Sequence, residues 1–176
     1  MTSAFYEFDE VDTFTAAAIG EPGARVFYLH ARAGQQRVTV KCEKQQVTAI
    51  AQYLRRVLSD LPPPEDRPLP VELRDPGEQA FVLGPIGLGY DRGNDRLLVQ
   101  LEELVAPTGD EPDEADEDRS LGAEDPDRGH VRLYVTRSQA AAFCDRADEL
   151  VAAGRPSCPW CGNPIDPDGH PCPRMN

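Results

Sequence analysis

Val38-Thr-Val-Lys-Cys42, followed by Glu43-Lys-Gln-Gln-Val-Thr-Ala-Ile-Ala-Gln-Tyr-Leu-Arg-Arg-Val-Leu58, is the stretch that decides the fold. Val38, Val40 and Cys42 alternate with Thr39 and Lys41, the period of two that marks a half-buried strand. From Glu43 the period changes. Val47, Ile50, Ala51, Leu54, Val57 and Leu58 share one face of a helix, while Lys44, Gln45, Gln52, Arg55 and Arg56 point elsewhere. Pro62-Pro-Pro64 ends the helix, because proline lacks the backbone donor a further turn needs.

The same strand-to-helix pattern recurs 93 residues later. Val131, Leu133 and Val135 alternate, and Ala140, Phe143, Cys144, Ala147, Leu150 and Val151 repeat the apolar stripe until Ala153-Gly154 stops it. Lys44 and Gln46 have counterparts in Arg137 and Gln139, just inside each helix. Upstream, Phe14 and Ile19-Gly20 match Phe81 and Ile86-Gly87 at an offset of 67. Further strands are expected at Phe5–Phe8, from Thr13 to Gly20, at Val26–Leu29, at Phe81–Leu83 and at Leu97–Leu101. The turns are Glu21-Pro-Gly23, Ala33-Gly34-Gln35 and a glycine-rich bend through Gly84, Gly87 and Gly89.

These elements predict an α+β fold: two pseudo-symmetric βββα halves, residues 1–61 and 78–155, forming antiparallel sheet or sheets covered by two helices related by a pseudo-twofold. Neither half has the apolar area to fold alone, so the domain 1–155 should share one core. Residues 62–77 read as a stiff, solvated, proline-rich connector. Residues 106–128 read as an acidic, flexible loop with few apolar groups to offset its ordering entropy. A small tail, 156–176, completes the chain.

Composition narrows the function. The net charge of −13 disfavours nucleic acid as a partner, because phosphate backbones are held by clustered Lys and Arg. Residues 110–127 carry ten acids against Arg119, so the remainder holds only −4 and the exclusion is correspondingly weaker. No apolar run is long enough for a membrane span and no basic-then-apolar leader opens the chain, so the protein is expected to be cytoplasmic. Five cysteines, three of them grouped, fit a reducing compartment.

The tail holds the one chemistry the sequence spells out: Cys158-Pro-Trp-Cys161, then His170-Pro-Cys172. Cys-x2-Cys on a tight turn sets two thiolates on one side of an ion, and His-x-Cys supplies the other two corners of a tetrahedron. Prolines at 159, 164, 167, 171 and 173 exclude a helix or sheet ladder, and no apolar run could make a core. A closed structural Zn²⁺ site of Cys158, Cys161, His170 and Cys172 would supply roughly 10–16 kcal/mol in small metal-dependent peptides, enough to order the stretch. Two other readings stay open. Cys-Pro-Trp-Cys also resembles the redox pair of glutaredoxin-type enzymes, although no helix follows to lower a thiol pKa. The cysteines could also be incidental to a disordered tail.

Glu21-Pro-Gly23, Glu43-Lys-Gln-Gln46 and the tail Cys158-Pro-x-Cys-Gly162 … Asp166-Pro-x-Gly169-His-x-Cys-Pro-Arg174 resemble an uncharacterised family of short bacterial proteins, typical of actinobacteria and described as a repeat protein of unknown function. The acidic insertion is long for that family. The resemblance implies no established activity; its members are encoded beside kinase-like and phosphatase-like proteins.

No catalytic set emerges. His30 and His130 lack a nucleophile pattern, Cys42 and Cys144 lie on apolar faces, Gly84-Pro-Ile-Gly87-Leu-Gly89 precedes a strand where a phosphate cradle needs a helix, and the acidic loop lacks spaced calcium ligands. The reading is a non-enzymatic protein-binding or regulatory module with a kinase-like or phosphatase-like partner. The first alternative is an enzyme or small-molecule binder with a cleft between the halves near Tyr28, His30, Arg92 or Tyr134. The second is nucleic-acid binding through the knuckle.

Overall fold

The computed structural model describes residues 5–66, 68, 71, 73, 75–105, 128–166 and 168–174. The strand-to-helix stretch forms β4 (Gln36–Cys42) and α1 (Lys44–Ser59), and its counterpart forms β7 (His130–Val135) and α2 (Arg137–Ala152). Before them run β1 (Phe5–Phe8), β2 (Thr13–Ile19) and β3 (Val26–Ala33); between them run β5 (Phe81–Asp91) and β6 (Arg96–Glu103). Each helix opens with a capping box. The Gln46 side chain accepts from the Glu43 N–H and the Gln139 side chain from the Thr136 N–H, at 2.8 and 2.9 Å. Each glutamine amide then donates across to another segment, Gln46 to the Leu83 and Gly84 carbonyls and Gln139 to the Val11 carbonyl.

All seven strands make one sheet in the order β1-β7-β6-β5-β4-β3-β2. It is mixed, because β1 pairs with β7 and β4 with β5 in parallel, while the other ladders are antiparallel as expected. Chain length dictates its shape. β1 and β2 sit at opposite edges, which in a flat sheet would lie roughly 29 Å apart at about 4.8 Å per strand. The link from Phe8 to Thr13 can span at most about 18 Å. The sheet therefore curls until its edges approach each other.

The ladders give the correspondence between the two strand trios. Val40 and Leu133, 93 apart, pair with Leu29 and Val99, which pair in turn with Ala16 and Leu88. β2 thus corresponds to β5 at an offset of 72, correcting the 67 expected from the phenylalanines. Phe81 pairs with Val40 as Phe8 pairs with Leu133, so β1 and β2 together occupy the place β5 fills alone. The glycine-rich stretch is also corrected. It continues β5 as strand, with one irregularity between Leu83 and Ile86, because Gly87 and Gly89 alternate with Leu88 and Tyr90 and preserve the pleat.

The inner face of the sheet and both helices share one core, running from Phe8, Leu29 and Ile50 to Val99, Leu133 and Phe143. The Phe14 and Phe143 rings stack at 4.7 Å, tying α2 to the edge strand β2. Arg55 Nη2 meets Asp148 Oδ2 at 2.8 Å and Cys144 Sγ lies 3.5 Å from the Ala51 carbonyl. Both pairs join positions 93 apart.

The described connector residues are mostly exposed, as a solvated segment should be, yet three of their carbonyls are tied to the sheet and to α2. Thr15 Oγ1 donates to the Val71 carbonyl at 2.8 Å, Thr39 Oγ1 to the Pro76 carbonyl at 2.6 Å, and Arg137 Nη1 to the Pro62 carbonyl at 2.6 Å. The connector covers the outer face of β2 and β4 and leaves Thr15 and Thr39 only 2% and 3% exposed. Backbone carbonyls do the holding, so the segment needs no apolar periodicity. The acidic stretch from 106 to 127 lies outside the described residues.

Candidate metal centre

The last turn of α2 delivers the chain through Gly154 and Arg155 into a tight hairpin. Ser157 and Pro164 form an isolated antiparallel bridge, the Ile165 N–H donates to the Pro156 carbonyl, and the Cys158 N–H donates to the Asn163 carbonyl, both at 2.8 Å. The Gly162 N–H returns to the Cys158 carbonyl at 2.8 Å, with Gly162 at φ +75°. A side chain there would be strained, so glycine lets the turn close directly behind Cys161. A second small turn, the Gly169 N–H to the Asp166 carbonyl, presents His170 and Cys172 from the other side. Arg155 Nη1 bonds Asp166 Oδ1 at 2.6 Å and fastens this second turn to the helix end.

Cys158, Cys161, His170 and Cys172 converge, with one ligand atom from each lying within 4.8 Å of all the others. Cys158 Sγ and Cys172 Sγ are 3.9 Å apart, and Cys161 Sγ and His170 Nε2 are 3.2 Å apart. The edges of a tetrahedron around an ion with about 2.3 Å metal–sulfur bonds measure roughly 3.8 Å. The group could therefore hold a metal ion, and three sulfurs with one imidazole suit a soft or borderline cation. Cys158 is buried and the other three are half-buried.

The thiols are electrostatically unequal. The Cys161 backbone N–H, with help from that of Trp160, holds the Cys158 thiol below its ordinary value against the opposing effect of burial. At Cys161 the Asn163 N–H also favours the thiolate, but burial and the neighbouring Cys158 and Cys172 sulfurs outweigh it and push the thiol up. Sulfurs packed this closely cannot all ionise without a cation among them.

The other sequence candidates are dispersed. Tyr28 and His30 lie on β3 and Tyr134 on β7, with β4, β5 and β6 between them; Arg92 is in the β5–β6 turn. A cavity of about 460 Å³ is lined by Asp9, Glu10, Asp91, Asn94, Arg96 and Tyr134, and by none of the other three. His130 stacks on Phe5 at 5.6 Å. His30 Nδ1 lies 2.9 Å from Thr39 Oγ1, whose proton is committed to the Pro76 carbonyl, so Nδ1 carries the hydrogen and donates. Cys42 is buried, and its thiol is pushed up to about 12 by burial and then by Glu43.

Sequence reasoning missed Asp95. It adopts φ +53°, accepts from Tyr90 Oη at 2.7 Å and from Arg137 Nε at 3.0 Å, and ties the β5–β6 turn to the start of α2. The signal available was Asn94-Asp95, a pair of residues tolerant of left-handed turns.

A protein-family profile described as protein of unknown function (DUF3090) matches residues 6–172. No curated protein and no solved structure matches the chain.

Proposed function

The chain belongs to the DUF3090 family, proteins of unknown function, and on that footing we propose that it is a non-enzymatic protein-binding module of the bacterial cytoplasm whose tail is held by structural zinc. One observation carries this reading. All four corners of the Cys158, Cys161, His170 and Cys172 cluster come from the protein, leaving no position for a substrate or an activated water. The hairpin that supplies two of them projects Trp160, 61% exposed, and an exposed aromatic on a rigid turn is the kind of anchor that interfaces use. The partner we propose is another protein, of the kinase-like or phosphatase-like kind that the sequence resemblance suggests.

The scaffold, in this proposal, is an internal duplication about a local twofold. The paired capping glutamines, the ladder correspondence and the helix contacts between positions 93 apart support it.

Metal analysis tests the centre: one zinc per chain is expected, lost in Cys158→Ser and Cys172→Ser. Metal-free protein whose tail keeps its structure in a chelator would defeat the reading. Co-purification with kinase-like or phosphatase-like proteins encoded beside it tests the partner, with Trp160→Ala expected to weaken retention while zinc stays bound. A second reading, a small-molecule binder or enzyme, is favoured by the cavity of about 460 Å³, whose lining includes Asp9, Glu10, Asp91, Arg96 and Tyr134. Nucleic-acid binding gains no support at the knuckle, where the Arg155 charge is met by Asp166.

A further inference from the structure

We propose that the cavity between the β1–β2 link and the β5–β6 hairpin binds a small zwitterion with two cationic groups and one carboxylate, the chemistry of a basic amino acid. The inference rests on the reading of this cavity as a small-molecule site and is independent of the metal centre. Among the described residues the lining consists of Asp9, Glu10, Asp91, Asn94, Arg96 and Tyr134, and the volume of about 460 Å³ suits a small ligand.

Asp91 and Arg96 stand opposite each other as the end pair of the β5–β6 ladder, where an acid and an arginine ordinarily join. They form no ion pair, because the turn holds each of them separately. Asp91 Oδ1 accepts from the Gly93 and Asn94 N–H groups at 2.9 and 3.2 Å, and Oδ2 accepts from Asn94 Nδ2 at 2.8 Å. Arg96 Nη1 donates to the Asn94 and Asp95 carbonyls at 3.2 and 3.1 Å, which leaves Nη2 and Nε without a partner among the described residues. Asp9 and Glu10 likewise form no ion pair there. Tyr134 Oη accepts from Arg132 Nη2 at 3.1 Å, so its own hydrogen remains to be donated. One cavity thus holds charges of both signs that are fixed in place and not spent on each other.

The fold does not require this arrangement. Through the ladders, Asp91, Arg96 and Tyr134 correspond to Ile19, Val26 and Lys41, and Ile19 and Val26 close the β2–β3 hairpin as an apolar pair. The charged version therefore answers a demand other than closing a hairpin. Three carboxylates against one guanidinium give the lining a net −2, which two cationic groups on a ligand offset better than one. The ligand's carboxylate would take the free Arg96 donors and the Tyr134 hydroxyl.

Calorimetric titration of the full-length protein with L-arginine, agmatine and L-glutamate tests this. Agmatine is arginine without its carboxylate and carries the greater positive charge, so a merely acidic surface would prefer it. L-Arginine should bind saturably, agmatine about tenfold or more weakly, a loss near the value of one charged contact, and L-glutamate undetectably. Arg96→Met should remove the preference for arginine over agmatine, and Tyr134→Phe, which deletes one hydroxyl and keeps the ring, should narrow it. Asp9→Asn should weaken both cationic ligands. Residues that serve only the fold would shift the melting temperature and leave the arginine-to-agmatine ratio unchanged. Agmatine binding as tightly as arginine, and lost in Asp9→Asn, keeps the cavity as a small-molecule site but overturns the zwitterion. Absence of saturable binding by all three probes overturns both, as does arginine binding that neither Asp9→Asn nor Tyr134→Phe alters.

Discussion

His30 and Cys42 each add a pH dependence to stability, one on the acid side and one on the alkaline side. His30 is held below its ordinary value of 6.5 by burial, then by Arg37 and Arg32. A depressed histidine leaves the unfolded chain to take up the proton first, so its stabilising effect is present above about 6.5 and lost as pH falls toward the folded value. Urea unfolding of His30→Gln should therefore show a weaker decline between pH 6.5 and 5 than wild type. On the alkaline side, Cys42 is raised from 9.0 to about 12. Its contribution is complete below 9 and is lost as pH rises toward 12, because only the unfolded thiol ionises in that interval. Alkylation at pH 8 should accordingly spare Cys42 in the folded protein and modify it in urea; labelling under native conditions would contradict the burial. Cys42 was legible as a packed strand position, while for His30 the sequence left packed and surface readings open. The His30 hydrogen bond was not legible, since its partner is fixed by a connector carbonyl that leaves no pattern in the sequence.

At the level of the element, the two helices start by the same device and differ in what the device reaches. Thr136 Oγ1 accepts from the Gln139 N–H at 3.1 Å, while Gln139 Nε2 crosses to the Val11 carbonyl at 2.6 Å. Thr136→Ala should cost about 1 kcal/mol, the usual worth of such a cap, read as a lower urea midpoint with an unchanged slope. Gln139→Leu should cost more, because it also strands the Val11 carbonyl near the sheet junction. The helices were readable because a 3.6-residue period and a capping glutamine are local signals. β5 was misread for an equally local reason: glycine usually marks a turn, and only the register against β6 shows Gly87 and Gly89 occupying pleat positions. The convergence of Cys158, Cys161, His170 and Cys172 was readable because metal spacing is itself a constraint on geometry, whereas Asp95 and Arg137 meet only through the fold.

For the whole molecule, the proposal assigns the sheet core and the tail to different ordering forces. One hydrophobic cluster spans both halves of the sheet, while among the described tail residues Cys158 alone is buried, so the proposed metal would have to supply the rest of the order. The chain has a single tryptophan, Trp160, within the knuckle. Chelation should shift its emission while far-ultraviolet dichroism of the sheet and helices persists. Simultaneous loss of both signals would mean that the tail is an integral part of the core. Curling of the sheet was beyond the sequence reading, because it follows from pairing between residues far apart along the chain.

That pairing has a consequence for synthesis. β1, with Phe5 opposite His130 and Phe8 opposite Leu133, leaves the ribosome long before its hydrogen-bonding neighbour β7. Until β7 emerges, the nascent chain carries an aromatic segment whose pairing partner is not yet made, and contacts of such long range form slowly. A ribosome-bound chaperone should thus hold β1 until residue 135 has cleared the exit tunnel and release it then.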